Sequence, residues 1–340
     1  MTSIADLPFA DLAVESDPSR SRFKRFSDSL DLEMVPEVLW PELRDLHRTM
    51  SGQECSRFRM TWPFAGCNPI AGGNPLAGGS PADGKSPAGT GPAGGKGLRL
   101  RVQRRDTPYG RVFIARRIDG SVRLLDQVGF PQAVLQKLRD PRLRAGMVLF
   151  SGSPGAGKTT AACALLLDRL EKIGGFTWTA ENPVEYDLQG SHGRGQCYQE
   201  EISEDADVKR VLMDTLRSGA DTFYIGEIRE EEAARAACLA SSSGLLVVST
   251  IHADNPTQAL MKLGILAGFP ALAQSLRAVL SLRLEHRLTA ANGPEKVLKV
   301  QPFFVENEAM RMKIRDGNMS ALIEDIDRQE KMLMMTGGMR

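Results

Sequence analysis

The chain has 340 residues, enough for two domains, because a single hydrophobic core rarely grows beyond ~250–300 residues. Its 43 Lys and Arg balance 42 Asp and Glu to a net charge of +1, which excludes an overall basic, nucleic-acid-binding surface. Five cysteines (Cys55, Cys67, Cys163, Cys197 and Cys238) form no C-x-x-C pair, which argues against a zinc clip, and no uncharged apolar run approaches the ~20 residues that span a bilayer. The expectation is a cytoplasmic protein with reduced thiols, no membrane insertion and no direct nucleic-acid partner.

Residues 1–30 have no clear period and are expected to form a loose arm. Pro41 opens a helix with Leu43, Leu46 and Met50 on one face and Gly52 as its stop. Arg57 to Trp62 and Leu98 to Gln103 alternate polar and apolar residues, the pattern of half-buried strands. Between them, residues 63–97 carry a degenerate repeat (Asn68-Pro-Ile-Ala-Gly-Gly, Asn74-Pro-Leu-Ala-Gly-Gly, then Ser-Pro-Ala variants). Proline and glycine dominate it without a collagen period, so a disordered hairpin insertion is expected. After the turn at Thr107-Pro108-Tyr109-Gly110, Arg111 to Ile118 makes a third strand and closes a small N-terminal domain over 31–122.

In 123–340, Pro131 starts a helix through Val134, Leu135 and Leu138, and Pro141 breaks it. Met147 to Phe150 reads as a short buried strand, and Ala164, Leu165, Leu167, Leu170 and Ile173 recur at helical spacing up to Gly174-Gly175. Strands Phe176 to Ala180, Thr222 to Gly226 and Leu245 to Thr250 then alternate with helices Val208 to Leu216 and Glu231 to Ala240, the rhythm of a largely parallel sheet. Helices are expected from there to the end: Pro256 to Ala267, Pro270 to Leu288 and a Met-rich tail from Met310.

Between the first of those strands and its helix stands Gly152-Ser153-Pro154-Gly155-Ala156-Gly157-Lys158-Thr159, followed by Thr160, which fits G-x-x-x-x-G-K-[ST] at every constrained position. Small residues let backbone N–H groups converge on phosphate oxygens. Lys158 offers a charge to the β/γ-phosphates, and the Thr159 hydroxyl is a Mg²⁺ ligand. ATP and Mg²⁺ are the expected cofactors. Three more polar groups end parallel strands: Glu181, Glu227 and His252. Glu227 follows an apolar strand in the Walker B manner, with Gly226 where an aspartate often stands. Carboxyl ends of parallel strands are where an open α/β sheet has its ligand crevice. Taken singly, a strand-end carboxylate also serves as a helix cap, and a lone histidine as a structural residue. With the cradle, Glu181 reads as general base, Glu227 as the group on the magnesium and its water shell, and His252 as a third catalytic residue.

The motifs resemble the secretion and type IV pilus motor ATPases, most closely the pilus retraction branch and its conjugation and type IVB secretion relatives. Thr179-Ala180-Glu181-Asn182-Pro183-Val184-Glu185 is similar to that family's Asp box, Gly226-Glu227-Ile228-Arg229 to its Walker B signature, Ser243 to His252 to its His box, and Ala309 to Asp316 to a retraction-branch signature. Arg101 and Arg116 resemble N-terminal-domain arginines that reach the nucleotide. The resemblance implies an α/β fold in which a smaller α+β, PAS-like N-terminal domain joins a RecA-like P-loop ATPase domain. It further implies a hexameric ring at the inner face of the bacterial inner membrane, acting on a platform protein of a pilus or secretion machine. Asn182 for aspartate and Leu245 for the first His-box histidine depart from the pattern and point either to a slower site or to one that leans more heavily on Glu181 and His252. Two alternatives stay open: a RecA-like nucleic-acid-dependent ATPase, which a 6% aromatic content disfavours, and a nucleotide-binding regulator with little turnover.

Overall fold

A computed structural model of the chain describes residues 3–25, 30–53, 56–62, 67–69, 98–118, 122–289 and 293–335. They divide into two units, Met1–Gly120 and Ser121–Arg340. Most of the Pro/Gly-rich stretch expected over 63–97 lies outside the described residues.

The first unit is an antiparallel sheet covered by a helix. Its strands are β1 (Asp11–Glu15), β2 (Arg22–Lys24), β3 (Glu33–Met34), β4 (Arg57–Trp62), β5 (Cys67–Pro69), β6 (Leu98–Thr107) and β7 (Gly110–Arg117), in the order β3-β2-β1-β7-β6-β4-β5. Helix α1 (Trp40–Ser51) buries the expected face, Leu43, Leu46 and Met50, against Leu100, Val102, Phe113 and Ala115. The loose arm expected over 1–30 is corrected: Ile4, Leu7, Phe9, Leu12, Val14 and Phe23 are buried in this core. Glu42 of α1 anchors the segment, accepting from Ser3 Oγ (2.9 Å), the Ile4 amide (2.7 Å) and Trp62 Nε1 (2.7 Å). The strands here are only 5 and 3 residues long, too short for a period to be visible in sequence; pairing of β1 with β7 supplies the order.

The second unit is a sheet with helices on both faces. Its elements are α2 (Gln132–Leu138), β8 (Gly146–Ser151), α3 (Lys158–Lys172), β9 (Gly175–Glu181), β10 (Gly190–His192), β11 (Gly195–Glu201), α4 (Asp207–Thr215), β12 (Thr222–Ile225), α5 (Glu231–Ser242), β13 (Leu246–Ile251), α6 (Pro256–Ala267), α7 (Phe269–Ser275), β14 (Leu276–Thr289), β15 (Gly293–Phe304), α8 (Glu308–Arg315) and α9 (Ser320–Met335). The strand order is β10-β11-β9-β12-β13-β8-β14-β15, parallel from β11 to β14 and antiparallel at both ends. One face carries Leu149, Phe223, Val247 and Val279 under α4 to α7, and the other carries Phe150, Tyr224, Val248 and Leu280 under α2 and α3.

The helix expected over 270–288 is corrected: it ends at Ser275, and the chain continues as β14 and returns as β15. Leu276, Leu280, Leu284 and Leu288 recur every four residues, as in a helix, but with Ala278 and Leu282 they also fill every second position from 276 to 284. Periodicity alone does not separate the two cases, and the open edge of β8 decides for strand.

Candidate functional site

Within the second unit, β13 lies between β8 and β12, and β9 lies beyond β12, so the strand ends line up along one edge: the 152–159 loop, His252, Glu227 and Glu181. Cross-strand bonds fix that edge. The Ser249 hydroxyl donates to the Ile225 carbonyl (2.7 Å), the Thr250 hydroxyl to the Gly226 carbonyl (2.8 Å), and the Gly226 amide to the Ala180 carbonyl (3.0 Å).

The loop from Gly152 through Ser153, Pro154, Gly155 and Ala156 to Gly157 leads into α3. Gly155 and Gly157 have φ of +78° and +88°, a region where glycine alone is unstrained, and a β-carbon at Gly152 would lie 2.4 Å from the Leu282 carbonyl oxygen. Lys158 and Thr159 open the helix, where backbone N–H groups lack intrahelical partners and favour anions. The Lys158 ammonium is buried and donates to the Gly152 (2.9 Å) and Ser153 (3.0 Å) carbonyls, and it sits 3.2 Å from His252 Nδ1. Burial pushes it below the usual lysine range, while Glu227 and Glu185 act in the opposite sense. Because an ammonium only donates, this contact makes Nδ1 the acceptor and leaves the His252 proton on Nε2, 2.8 Å from Glu227 Oε1. Arg229 Nε and its terminal nitrogen both approach Glu227 Oε2 at 2.8 Å. Lys158, His252, Glu227 and Arg229 thus form one continuous polar chain across the strand ends.

Glu227 Oε1 is buried and has an ion-pair distance to His252 without an aligned hydrogen bond. Such an oxygen suits a cation or its water. A hydroxyl (Thr159) and a carboxylate (Glu227) are also the donor types of Mg²⁺ sites whose remaining ligands are phosphate oxygens and water, so the residues fit the ion. Glu181 is 2% exposed, and its Oε1 accepts from Thr179 Oγ1 (2.8 Å) and Gln199 Nε2 (2.9 Å). A β-carbon at Gly226 would lie 3.4–3.6 Å from Glu181 atoms, so an aspartate there would set a second carboxylate against it. The Thr160 hydroxyl bonds Tyr186 OH (2.7 Å).

Both departures from the family pattern have local explanations. Asn182 Nδ2 donates to the Ser203 carbonyl (2.8 Å), a bond an ionised aspartate cannot make. Leu245 is buried beside the amino end of β13, seven residues and roughly 20 Å along the strand from His252, so its side chain is remote from the cradle. Arg101 and Arg116 belong to the first unit, directly opposite each other on β6 and β7, and Arg116 makes a two-pronged pair with Asp11 (2.7 and 3.3 Å). Sequence reasoning missed Gln199, Tyr186 and Lys262. The Lys262 ammonium lies 3.4 Å from the His252 carbonyl, and its charge also lowers the Lys158 proton affinity. No motif marks these residues; Gln199 depends on β11, a strand with too few apolar residues to stand out.

A largely parallel sheet with helices on both faces and a phosphate loop between β8 and α3 is a RecA-like P-loop fold. The model of the family "Type II/IV secretion system protein" matches residues 82–334, and the chain belongs to that family. Among curated relatives, the type II secretion system protein E of Klebsiella pneumoniae is 35% identical over 199 residues, covering 57% of this chain and 39% of its own. The type IV pilus ATPase PilU of Pseudomonas aeruginosa is 34% identical over 160 residues, covering 47% and 40%. The chain spans about two fifths of the length of these relatives. Among solved structures, the pilus retraction motor PilT with bound ADP aligns over 95% of this chain and 87% of its own, with a TM-score of 0.69 at 17% identity. The ATPase DotB of Legionella pneumophila aligns over 97% and 88%, with a TM-score of 0.64 at 15% identity. No helix among the described residues is long and apolar enough to cross a membrane.

Proposed function

We propose that the chain hydrolyses ATP and couples that reaction to the work of a pilus or secretion machine. The observation that carries the reading is the convergence of Lys158, Thr159, Glu181, Glu227 and His252 on one sheet edge, with every ionisable member held by a named partner. Lys158 exchanges its carbonyl and His252 contacts for phosphate oxygens. Thr159 and Glu227 would hold Mg²⁺, which when bound would supply charge neutralisation on the phosphates. Glu181 accepts a proton from the attacking water, and its buried, doubly bonded Oε1 keeps it in one orientation. His252, between Lys158 and Glu227, relays a change at either to the other. Arg101 and Arg116 act as charge-stabilising fingers, and for Arg116 that requires release from Asp11. The reading extends to a hexameric ring at the inner membrane with a platform protein as partner, and to a PAS-like fold for the first unit.

The test is steady-state phosphate release from the purified chain with ATP and Mg²⁺. Wild type should turn over, and Lys158→Ala should lose both binding and turnover. A wild-type protein that binds ATP without releasing phosphate under any oligomeric condition would favour the regulator reading instead.

A further inference from the structure

Gln199 holds a position that neither the motifs nor the family's nucleotide chemistry assigns. It sits on β11 opposite Thr179 of β9, and Glu181, two residues further along β9, is its diagonal neighbour on the same side of the sheet. Its amide is fully committed. Oε1 accepts from the Leu188 amide (2.6 Å), and Nε2 donates to Glu181 Oε1 (2.9 Å) and to the Tyr186 carbonyl (3.0 Å). Because a backbone N–H can only donate, the Leu188 contact fixes which end of the amide is oxygen, and the NH₂ group faces Glu181. The Gln199 main-chain amide in turn donates to Gln189 Oε1 (2.7 Å). Gln199 therefore grips both the carboxylate and the 182–189 loop. That loop returns to the cradle through Tyr186 OH, which bonds Thr160 beside Thr159.

We infer that Gln199 is a positioning residue for hydrolysis: it sets the orientation of the Glu181 carboxylate and ties that orientation to the start of α3. The inference rests on the reading of Glu181 as general base. Thr179 supplies a second donor to the same oxygen, but from the same strand, two residues away, so it moves with Glu181. Gln199 donates from a different strand, and it relates the Glu181 carboxylate to the loop that reaches Thr160. A carboxylate displaced by about 1 Å loses on the order of 10²-fold in rate while nucleotide contacts elsewhere stay intact. A hydrogen bond to a charged group is worth ~1.5–3 kcal/mol, which is ~10- to 150-fold.

The experiment is a mutant cycle on the full chain, with phosphate release and ATP affinity measured on each variant. Gln199→Met keeps side-chain length and removes both amide functions. Gln199→Glu keeps the acceptor for the Leu188 amide, removes the donor to Glu181 and to the Tyr186 carbonyl, and sets a second carboxylate beside Glu181. Both should lower kcat about 10- to 100-fold, with KM and ATP affinity within about threefold of wild type. In a Glu181→Gln background, where no base remains to orient, Gln199→Met should lower the residual rate by less than about threefold. If Gln199→Glu turns over normally while Glu181→Gln is slow, the positioning role fails and the base assignment stands. If Glu181→Gln itself keeps wild-type turnover, the base assignment fails and the role of Gln199 falls with it. If the two losses multiply in the double variant, Gln199 acts through general packing and the inference is overturned.

Discussion

Replacing Gly152 with alanine tests how the phosphate loop is built against β14. The new β-carbon would lie 2.4 Å from the Leu282 carbonyl oxygen and 2.9 Å from the Ala156 β-carbon, with φ at +152°. The first contact is about 1 Å short of ordinary separation, and the second is also closer than real β-carbons come. Either the backbone of β14 or the loop must move. Overpacking of this kind costs ~1–3 kcal/mol, and for a unit of this size each kcal/mol lowers the melting midpoint by ~2–4 °C, so a fall of roughly 2–12 °C is expected. Moving the cradle by about 1 Å should also cost ~10²-fold in turnover. Gly155→Ala is the control, because nothing stands within 4 Å of its β-carbon and only the left-handed backbone is penalised, by ~1–2 kcal/mol. Thermal melts and phosphate release on both variants give the answer. A Gly152→Ala protein with wild-type melting and turnover would refute the close approach of loop and strand.

Three further outcomes follow from single contacts. Asn182→Asp restores the family residue but removes the donor to the Ser203 carbonyl and leaves a carboxylate facing it, so chemical denaturation at neutral pH should show a loss of ~1–3 kcal/mol; unchanged stability would mean that Asn182 braces nothing. Burial pushes the Cys197 thiol up to about 12, so above about pH 9 the unfolded chain releases a proton that the folded chain keeps. Its contribution therefore falls as pH climbs from 9 toward 12, and urea titrations at pH 8 and pH 11 should show a smaller alkaline loss in Cys197→Val than in wild type. On α8, Arg311 donates to the Ala273 carbonyl (2.8 Å) and Lys313 pairs with Asp325 (2.7 Å), whereas the Arg315 side chain is exposed. If this segment passes work to a partner, Arg315→Ala should leave phosphate release within about twofold while pilus or secretion output falls in the cell; unchanged output would assign α8 to packing alone.

The groups at the strand ends were legible in the sequence because each follows an apolar run that can only be a buried strand. Thr222 to Ile225 leading into Glu227, and Leu246 to Ile251 leading into His252, announce a carboxylate and an imidazole at one edge. The burial pattern of α1 was equally plain from helical spacing. What stayed hidden depends on tertiary pairing. The leucines of 276–288 satisfy two periods at once, and only pairing with β8 and β15 decides between them. Gln199 lies in Gly195 to Glu201, a stretch rich in Gln and Glu that becomes a strand only against β9. Asp11 and its neighbours looked unstructured because five residues of β1 carry too little pattern, although they hold Arg116 in place.

The central claim is that this edge turns ATP over rather than merely holding it. Glu227→Gln keeps the size of the side chain and removes the charge that His252 and Arg229 now face. Binding of radiolabelled ATP and phosphate release should be measured side by side on wild type and this variant. The expected result is near-normal binding with phosphate release at least ~10²-fold slower than wild type. Equal release rates in the two proteins would contradict the account.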